Sequence, residues 1–347
     1  MWSVANNSWQ LSNRQVPIRT SRIMNLFGRV IMAFMPITPK AFIRFISRRY
    51  VAGPELEDAL RVMREMSSEN TSFTVDVLGE DISTLEGTQP FIEEYNRLIE
   101  AISQSDLNAH VSLKPTAFGL DIDYGYALKA LSDIVRKANE SQIYVRLDME
   151  DSTHTESTLK IMEDLYSEGH LNVGVVLQGR LLRTNDDLLR IAETMGKHAD
   201  VRICKGIYLE PSEIAYTSYS DIVNATSDAV ETALDLGMYV GIASHDHPVI
   251  NAALQNLQSR GIMPEKPDPR KPAPVVKPGK GGGYEFQFLL GVRGDVRRRL
   301  ASNGHLTRVY LPYGKQWYEY SMRRLRENPG IAWHVAKSII MPWTNRR

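Results

Sequence analysis

The chain has 347 residues, 43% of them hydrophobic, enough to bury a full core as two small domains or one large barrel. Its 41 basic and 41 acidic residues cancel, which leaves no electrostatic footprint for nucleic acid and no general attraction to anionic lipid. Cys204 is the sole cysteine, so a disulfide framework and a thiolate zinc cluster are excluded, and a reducing cytoplasmic setting is expected.

The N-terminus, Met1 to Asn7, lacks the charged and apolar regions of a signal peptide, and no apolar run approaches the roughly 20 residues needed to cross a bilayer. Residues 1–70 carry helical periodicity only and read as a helical arm. Ile23, Leu26, Phe27, Val30, Ile31 and Phe34 fall on one stripe, the Pro36-Ile37-Thr38-Pro39 segment breaks the chain, and Phe42, Ile43, Phe45 and Ile46 follow. A third helix is expected from about Pro54 to Glu69. Arg22, Arg29, Arg44, Arg48 and Arg49 surround the first two helices, which suits either a membrane surface or another protein face. Packing on the main domain or on a second subunit is favoured, because amphipathic arms usually cover protein.

From residue 71 to the C-terminus the pattern becomes one of short β-rich runs, each followed by a helix-period segment. The runs are Phe73–Leu78, His110–Lys114, Tyr144–Met149, Val173–Gln178, Val201–Lys205, Tyr239–His245, Tyr284–Leu289 and Thr307–Leu311. Eight strand-then-helix units predict a closed (β/α)8 barrel over residues 71–347, and the absence of a Gly-x-Gly-x-x-Gly turn disfavours an open doubly wound sheet. Alternation along the third run gives Val145, Leu147 and Met149 to the helix layer and turns Arg146 and Asp148 inward. The same parity turns Ser112 and Lys114, Gln178, Arg202 and Cys204, Ala243 and His245, Glu285 and Gln287, and Arg308 and Tyr310 toward the axis. Buried charge needs a partner or a ligand, so an internal ion-pair network or a polar ligand must occupy the barrel mouth.

Residues 264–283 break the rhythm with six prolines, four lysines and a Gly281-Gly282-Gly283 run, a composition that predicts a mobile surface excursion or lid. Further on, Lys315 to Asn328 reads as a helix closed by Asn328-Pro329-Gly330, with Tyr320 on the same face as Arg323 and Arg324. Two guanidinium forks and an aromatic ring can hold a small carboxylate, although a solvated basic face is the commoner use of such a pair.

Three chemistries can be built from the inward set. Lys114 or Lys205 could serve as a Schiff-base nucleophile, as in a barrel aldolase. His245-Asp246-His247 with Asp148 could ligate a metal in a hydrolase. Arg202, Lys205 and Gln178 could face a flavin or another electron-rich cofactor while Arg323 and Arg324 hold a substrate acid. A non-catalytic barrel whose arm serves assembly is a fourth reading. Composition leaves them open.

Taken together, Val111-Ser-Leu-Lys114, Val145-Arg-Leu-Asp-Met-Glu150, Val176-Leu-Gln178, Val201-Arg-Ile-Cys-Lys-Gly-Ile-Tyr-Leu-Glu-Pro211, Tyr284-Glu-Phe-Gln-Phe-Leu289, Val309-Tyr-Leu-Pro-Tyr-Gly314 and Tyr320-x-x-Arg-Arg-x-x-Glu327 closely resemble the proline dehydrogenase family. The resemblance spans about residues 55 to 330, with the motifs in order. It implies a distorted (β/α)8 barrel that uses FAD to oxidise L-proline to Δ1-pyrroline-5-carboxylate, with hydride passing to the flavin N5 and electrons to a quinone. By position, it places Arg202 near N5, where its charge stabilises the reduced ring, and Asp148 as the carboxylate that organises the pocket. Met149, Gln178, Lys205, Gly206, Ile207, Ser244, His245 and Glu327 match cofactor-contacting positions. Lys114, Arg323 and Arg324 match the carboxylate binders, and Tyr208, Leu289, Tyr310 and Tyr320 the walls around the proline ring. For Arg323 and Arg324 to reach the site, the last helix must cover the barrel mouth.

Against the family pattern, Ser244 and Asp246 stand where Thr and Asn are more usual, and Ile207 where Ala is common. A bulky Tyr310 suits unsubstituted proline, whereas hydroxyproline-oxidising relatives tend to carry a smaller residue there. Because the sequence stops soon after the last predicted helix, at Arg347, a monofunctional enzyme is expected, with a separate pyrroline-5-carboxylate dehydrogenase acting downstream. Peripheral association with the inner face of the membrane is the alternative to a purely cytoplasmic location.

Overall fold

A computed structural model describes residues 40–79 and 82–327, apart from the side chains of Ala41, Phe42, Ile46 and residues 324–327. The first predicted arm helix, around Ile23 to Phe34, lies outside the described residues. Eight parallel strands close into a barrel in sequence order: β1 (Thr71–Val77), β2 (Ala109–Leu113), β3 (Val145–Leu147), β4 (Val173–Gln178), β5 (Asp200–Cys204), β6 (Tyr239–Ala243), β7 (Tyr284–Leu289) and β8 (Thr307–Tyr313). Two helices precede the barrel, α1 (Lys40–Ser47) and α2 (Leu56–Ser67). One follows each strand: α3 (Gln89–Ser103), α4 (Tyr124–Glu140), α5 (Thr155–Ser167), α6 (Thr184–Met195), α7 (Tyr219–Asp235), α8 (His247–Ser259), α9 (Gly294–Ser302) and α10 (Trp317–Glu327). The eight-unit rhythm read from the sequence is therefore the observed one.

The outward parity of the strands builds the core. Val75, Val111, Val145, Leu147, Val175, Val201, Ile203, Val240, Phe286 and Leu311 are all buried against the helical layer. Helices α2 to α9 turn their apolar stripes to them, as an amphipathic helix on a sheet must. Local signals set helix starts: the Asp123 carboxylate accepts from the Tyr126 N–H at 2.9 Å to open α4, and Ser218 Oγ accepts from the Asp221 N–H at 3.1 Å to open α7. α2 contributes Leu56, Val62, Met63 and Met66 to this same core. α1 packs against α10, with Lys40 Nζ 5.2 Å from the Tyr318 ring centroid.

The inward parity is polar, and it divides into two layers. In the lower one, Arg146 ion-pairs with Asp200 and donates to the carbonyls of Val175 at 3.0 Å and Asp200 at 2.7 Å. Glu285 accepts from Arg308 Nε at 2.8 Å and Nη2 at 3.0 Å, and from the Tyr239 hydroxyl at 3.0 Å. The ion-pair half of the sequence expectation is thus observed: an internal network fills the lower axis, and the upper layer forms the mouth.

The segment 264–283 lies largely at the surface, as expected, but its place corrects the expectation of a lid. It enters the α8–β7 connection on the face opposite the strand C-termini and plugs the barrel from below. Lys280 reaches Asp200 Oδ2 at 2.8 Å, with Nζ 4.1 Å from the Tyr239 ring centroid and 4.5 Å from that of Tyr144. Lys277 donates to the His198 carbonyl at 2.9 Å, and both lysines are almost wholly buried. Backbone groups hold the loop as well: the Gly279 carbonyl accepts from Arg308 at 2.7 Å, and His110 Nε2 meets the Pro278 carbonyl at 2.9 Å. Prolines that looked like linker chemistry instead stiffen a chain whose lysines answer the buried acids.

Candidate active site

Side chains from all eight strands and α10 converge at the C-terminal ends of the strands, the face where barrel enzymes build their sites. At the centre lies Asp148, just past β3. Its Oδ1 accepts from Ser112 Oγ on β2 at 2.6 Å and from Arg202 Nη1 on β5 at 2.7 Å, and its Oδ2 accepts from the Tyr310 hydroxyl on β8 at 2.7 Å. The Arg202 guanidinium also sits 5.4 Å from the Tyr310 ring centroid. Burial beside the carboxylates of Asp148 and Asp76 pushes the Tyr310 phenol well above its usual range, so it remains a donor. All three predicted residues, Asp148, Arg202 and Tyr310, therefore meet in one buried, charge-compensated cluster.

Lys114, just past β2, donates to both oxygens of Asp76 on β1, at 2.8 and 2.9 Å. Burial raises the Asp76 pKa, with the Lys114 charge opposing that rise. Asp76 was absent from the predicted set, yet the parity rule applied to β1, where Ser72, Thr74 and Asp76 alternate with Phe73, Val75 and Val77, would have turned it inward. Gln287 was placed on the inward face but given no role. It proves to be a direct partner of Arg202, accepting from Nε at 2.6 Å.

On the β4–β6 side, Gln178 donates through Nε2 to the Glu150 carbonyl at 2.7 Å, and its buried Oε1 has no hydrogen-bond donor within the protein. Gly206 approaches it with φ of 91°, and a Cβ there would lie 2.6 Å from Gln178 Oε1 and 2.8 Å from Arg180 Cδ. Only glycine meets both demands. Lys205 ion-pairs with Asp246 and lies 5.2 Å from the Tyr219 ring centroid. Ser244 Oγ accepts from the Asp246 N–H at 3.2 Å. His245 Nε2 accepts from the Leu289 N–H at 3.0 Å, which puts any ring proton on Nδ1. Burial lowers the pKa of His245 to about 4, so the ring is neutral. Met149 is buried, Tyr208 is half-buried, and Ile207 and Leu289 are exposed at the rim.

α10 begins directly after β8. Tyr320 anchors it over the strand ends, packing with Val51 and with Leu78, which follows β1, and the Arg323 guanidinium lies 5.8 Å from the Tyr320 ring centroid. The side chains of Arg324 and Glu327 lie outside the described residues.

This geometry weighs on the competing chemistries. Lys114 and Lys205 are each paired with a carboxylate, the opposite of the desolvated, unpaired amine that a Schiff-base nucleophile requires. The three residues of the His-Asp-His run turn to separate partners: His245 to the Leu289 N–H, Asp246 to Lys205, and His247 to Arg293 at 2.7 Å. That divergence is not the convergence of a metal site.

Comparison with known proteins gives a consistent result. A family model described as proline dehydrogenase matches residues 59–337. Proline dehydrogenase 2 of Bacillus subtilis (strain 168) is 33% identical over 286 residues, which cover 82% of this chain and 88% of that protein. The proline dehydrogenase of Deinococcus radiodurans is 31% identical over 299 residues, covering 85% of this chain and 90% of that one. Among solved structures, proline utilization A from Bdellovibrio bacteriovorus superposes with a TM-score of 0.71 at 20% identity. That match covers 81% of this chain and 32% of the other, and it bears on the fold.

Proposed function

The chain belongs to the proline dehydrogenase family, and we propose that it oxidises L-proline to Δ1-pyrroline-5-carboxylate in proline catabolism, using FAD and passing the electrons to a quinone. The observation that carries this reading is the joining of Asp148, Arg202 and Tyr310, three residues of separate family motifs, into one buried cluster at the barrel mouth.

The residues present fit a flavin. Gln178 Oε1 is a buried acceptor without a protein donor, as the N–H of a flavin pyrimidine ring would require. Gly206 keeps its neighbourhood clear, and Met149, Arg202, Lys205, Ile207, Ser244 and His245 lie on or just past β3, β5 and β6. Bound FAD supplies a two-electron acceptor for the hydride at its N5. The remaining work falls to the chain. Arg202 is fixed by Asp148 on one side and Gln287 on the other, so its charge is held in place beforehand and needs no reorganisation during reaction. Lys114, Arg323 and Arg324 are assigned to the proline carboxylate, and Tyr208, Leu289, Tyr310 and Tyr320 to the ring. Asp148 accepts three hydrogen bonds and is assigned to organising the pocket; it is not assigned as the proton acceptor. Loss of hydride from C5 needs the nitrogen lone pair, so proline must react as the neutral amine.

We further read residues 71–347 as the catalytic domain and residues 1–70 as an arm that packs on it, on a partner or on the inner membrane surface. No helix among the described residues is long and apolar enough to cross a membrane. A separate pyrroline-5-carboxylate dehydrogenase would consume the product. Hydroxyproline is the second substrate to test, because the size of the residue at 310 bears directly on it.

The test is the visible absorption spectrum of the purified protein, recorded anaerobically before and after L-proline is added. Flavin bands that bleach with L-proline are expected. Bands that persist would redirect the reading to another imino acid, and a protein that neither carries nor binds flavin would overturn it.

A further inference from the structure

We propose that Gln287 is the positioning residue for Arg202, setting the plane of its guanidinium, and that Glu285 in turn sets the orientation of Gln287. The proposal deepens the function proposed above and rests on Arg202 serving the reaction. Nothing in the motif comparison assigns either residue.

The argument begins with what one ion pair can do. Asp148 receives Arg202 through a single nitrogen, Nη1, at 2.7 Å, and a one-point contact fixes position but leaves the plane of the fork free to turn. The second anchor is at Nε, which donates to Gln287 Oε1 at 2.6 Å. With both nitrogens held, the plane is determined.

A carboxamide can present either its oxygen or its nitrogen, and only the oxygen can serve Arg202, which has donors alone. The choice is made by Glu285 Oε1, which accepts from Gln287 Nε2 at 2.6 Å. Flipping the amide would set N–H groups against the guanidinium and a carbonyl against a carboxylate. Although burial opposes it, the charges of Arg308 and Lys280 hold Glu285 below the usual carboxylate range, so it remains an ionised acceptor. Gly241 leaves room for the arrangement: a Cβ there would lie 2.6 Å from Gln287 Nε2 and 3.2 Å from its Cδ.

Two variants test this. Gln287→Met keeps length and removes both hydrogen bonds. A fall in kcat on the order of 10- to 100-fold is expected, with KM for L-proline changed by about threefold or less, because other residues hold the carboxylate. A second readout is independent of turnover: in arginine-labelled protein the Nε–H resonance of Arg202, assigned by its loss in Arg202→Lys, should exchange slowly with solvent in the wild type and quickly in Gln287→Met.

Gln287→Glu is nearly isosteric and serves if the methionine variant does not fold. The ionisable groups around position 287 are Arg202 on β5, Glu285 on the same strand and Arg308 on β8; Asp148 and Tyr310 reach Arg202, and Tyr239 on β6, His110 on β2 and Lys280 act on Glu285. Protonated, the new side chain can accept from Arg202 and donate to Glu285, and the rate should approach that of the wild type. Loss of that proton sets two carboxylates face to face, so the rate should fall on an alkaline limb that the wild type lacks. The proposal is overturned if Gln287→Met keeps kcat within about twofold and leaves the Arg202 Nε–H unchanged, or if Gln287→Glu reproduces the wild-type pH profile. If the wild type fails to oxidise L-proline, the function reading is at fault, and the Nε–H comparison still decides the positioning role.

Discussion

Replacing Lys280 by methionine should change how stability depends on pH, and the direction follows from the charges in the lower barrel. There Asp200 and Glu285 face Arg146, Arg308, Lys277 and Lys280, so the arginines already balance the acids and the lysines are surplus. Burial accordingly lowers Lys280 from an ordinary 10.5 to about 7, with Asp200 and Glu285 opposing the shift, and lowers Lys277 to about 8. A lysine whose folded pKa is depressed penalises the fold while it must be carried as a cation. The penalty is full below about 7 and is relieved as pH rises toward 10.5, because over that window the unfolded chain binds the extra proton. For a single group this makes the wild type gain about 2 kcal/mol over Lys280→Met between pH 7 and 9. Urea unfolding of both proteins at a series of pH values, followed by circular dichroism, measures the difference directly. The slope from Lys277 is common to both proteins and largely cancels. A stability difference that stays constant, or shrinks, as pH rises would mean that Lys280 keeps its charge and that the surplus-cation argument is wrong.

Asp148→Asn should lower kcat on the order of 10- to 100-fold with a smaller change in KM, since it keeps an acceptor but loses the charge that holds Arg202; steady-state kinetics with L-proline decides between this and a pure binding defect. Gly206→Ala should cost about 1–3 kcal/mol, because φ is 91° and the new methyl would meet Gln178 Oε1 at 2.6 Å. A reduced ratio of flavin to protein absorbance should accompany that loss, and an unchanged ratio would detach Gly206 from cofactor binding. The rate with L-proline should rise with pH as the amine loses its proton, and His245, whose pKa burial lowers to about 4, should add no inflection near neutrality. A profile flat from acid to alkaline pH would contradict the neutral-amine requirement.

Much of this architecture is legible in the sequence because it rests on local periodicity. Val145, Leu147 and Met149 against Arg146 and Asp148 is a two-residue alternation, and it correctly turned the charged pair toward the axis. Applied to β1 it would have found Asp76 too. Partner choice is what alternation cannot supply. Gln287 and Arg202 are visible as inward residues, but nothing local says that the amide oxygen will seek Nε or that Glu285 will fix the flip. The proline-rich segment failed for the same reason. Its composition is that of a linker, whereas its conformation is decided by Asp200 and Glu285, distant acids that Lys280 reaches only once the barrel has closed. The Lys205–Asp246 pair lies between: adjacent strand ends made it foreseeable, but only after the strand order was known.

The plug has a consequence for molecular traffic. Ser72, Thr74, Tyr144, Asp200 and Tyr239, which line the lower axis, are each at most 2% exposed, so among the described residues the barrel is a vessel closed at its lower end. That leaves, among the described residues, the face of the strand C-termini for a small molecule to arrive and depart, the face on which Ile207 and Leu289 are exposed. Sequence change on the plugged end can therefore alter how firmly the vessel holds together without altering who gets in, while change at the rim does the reverse.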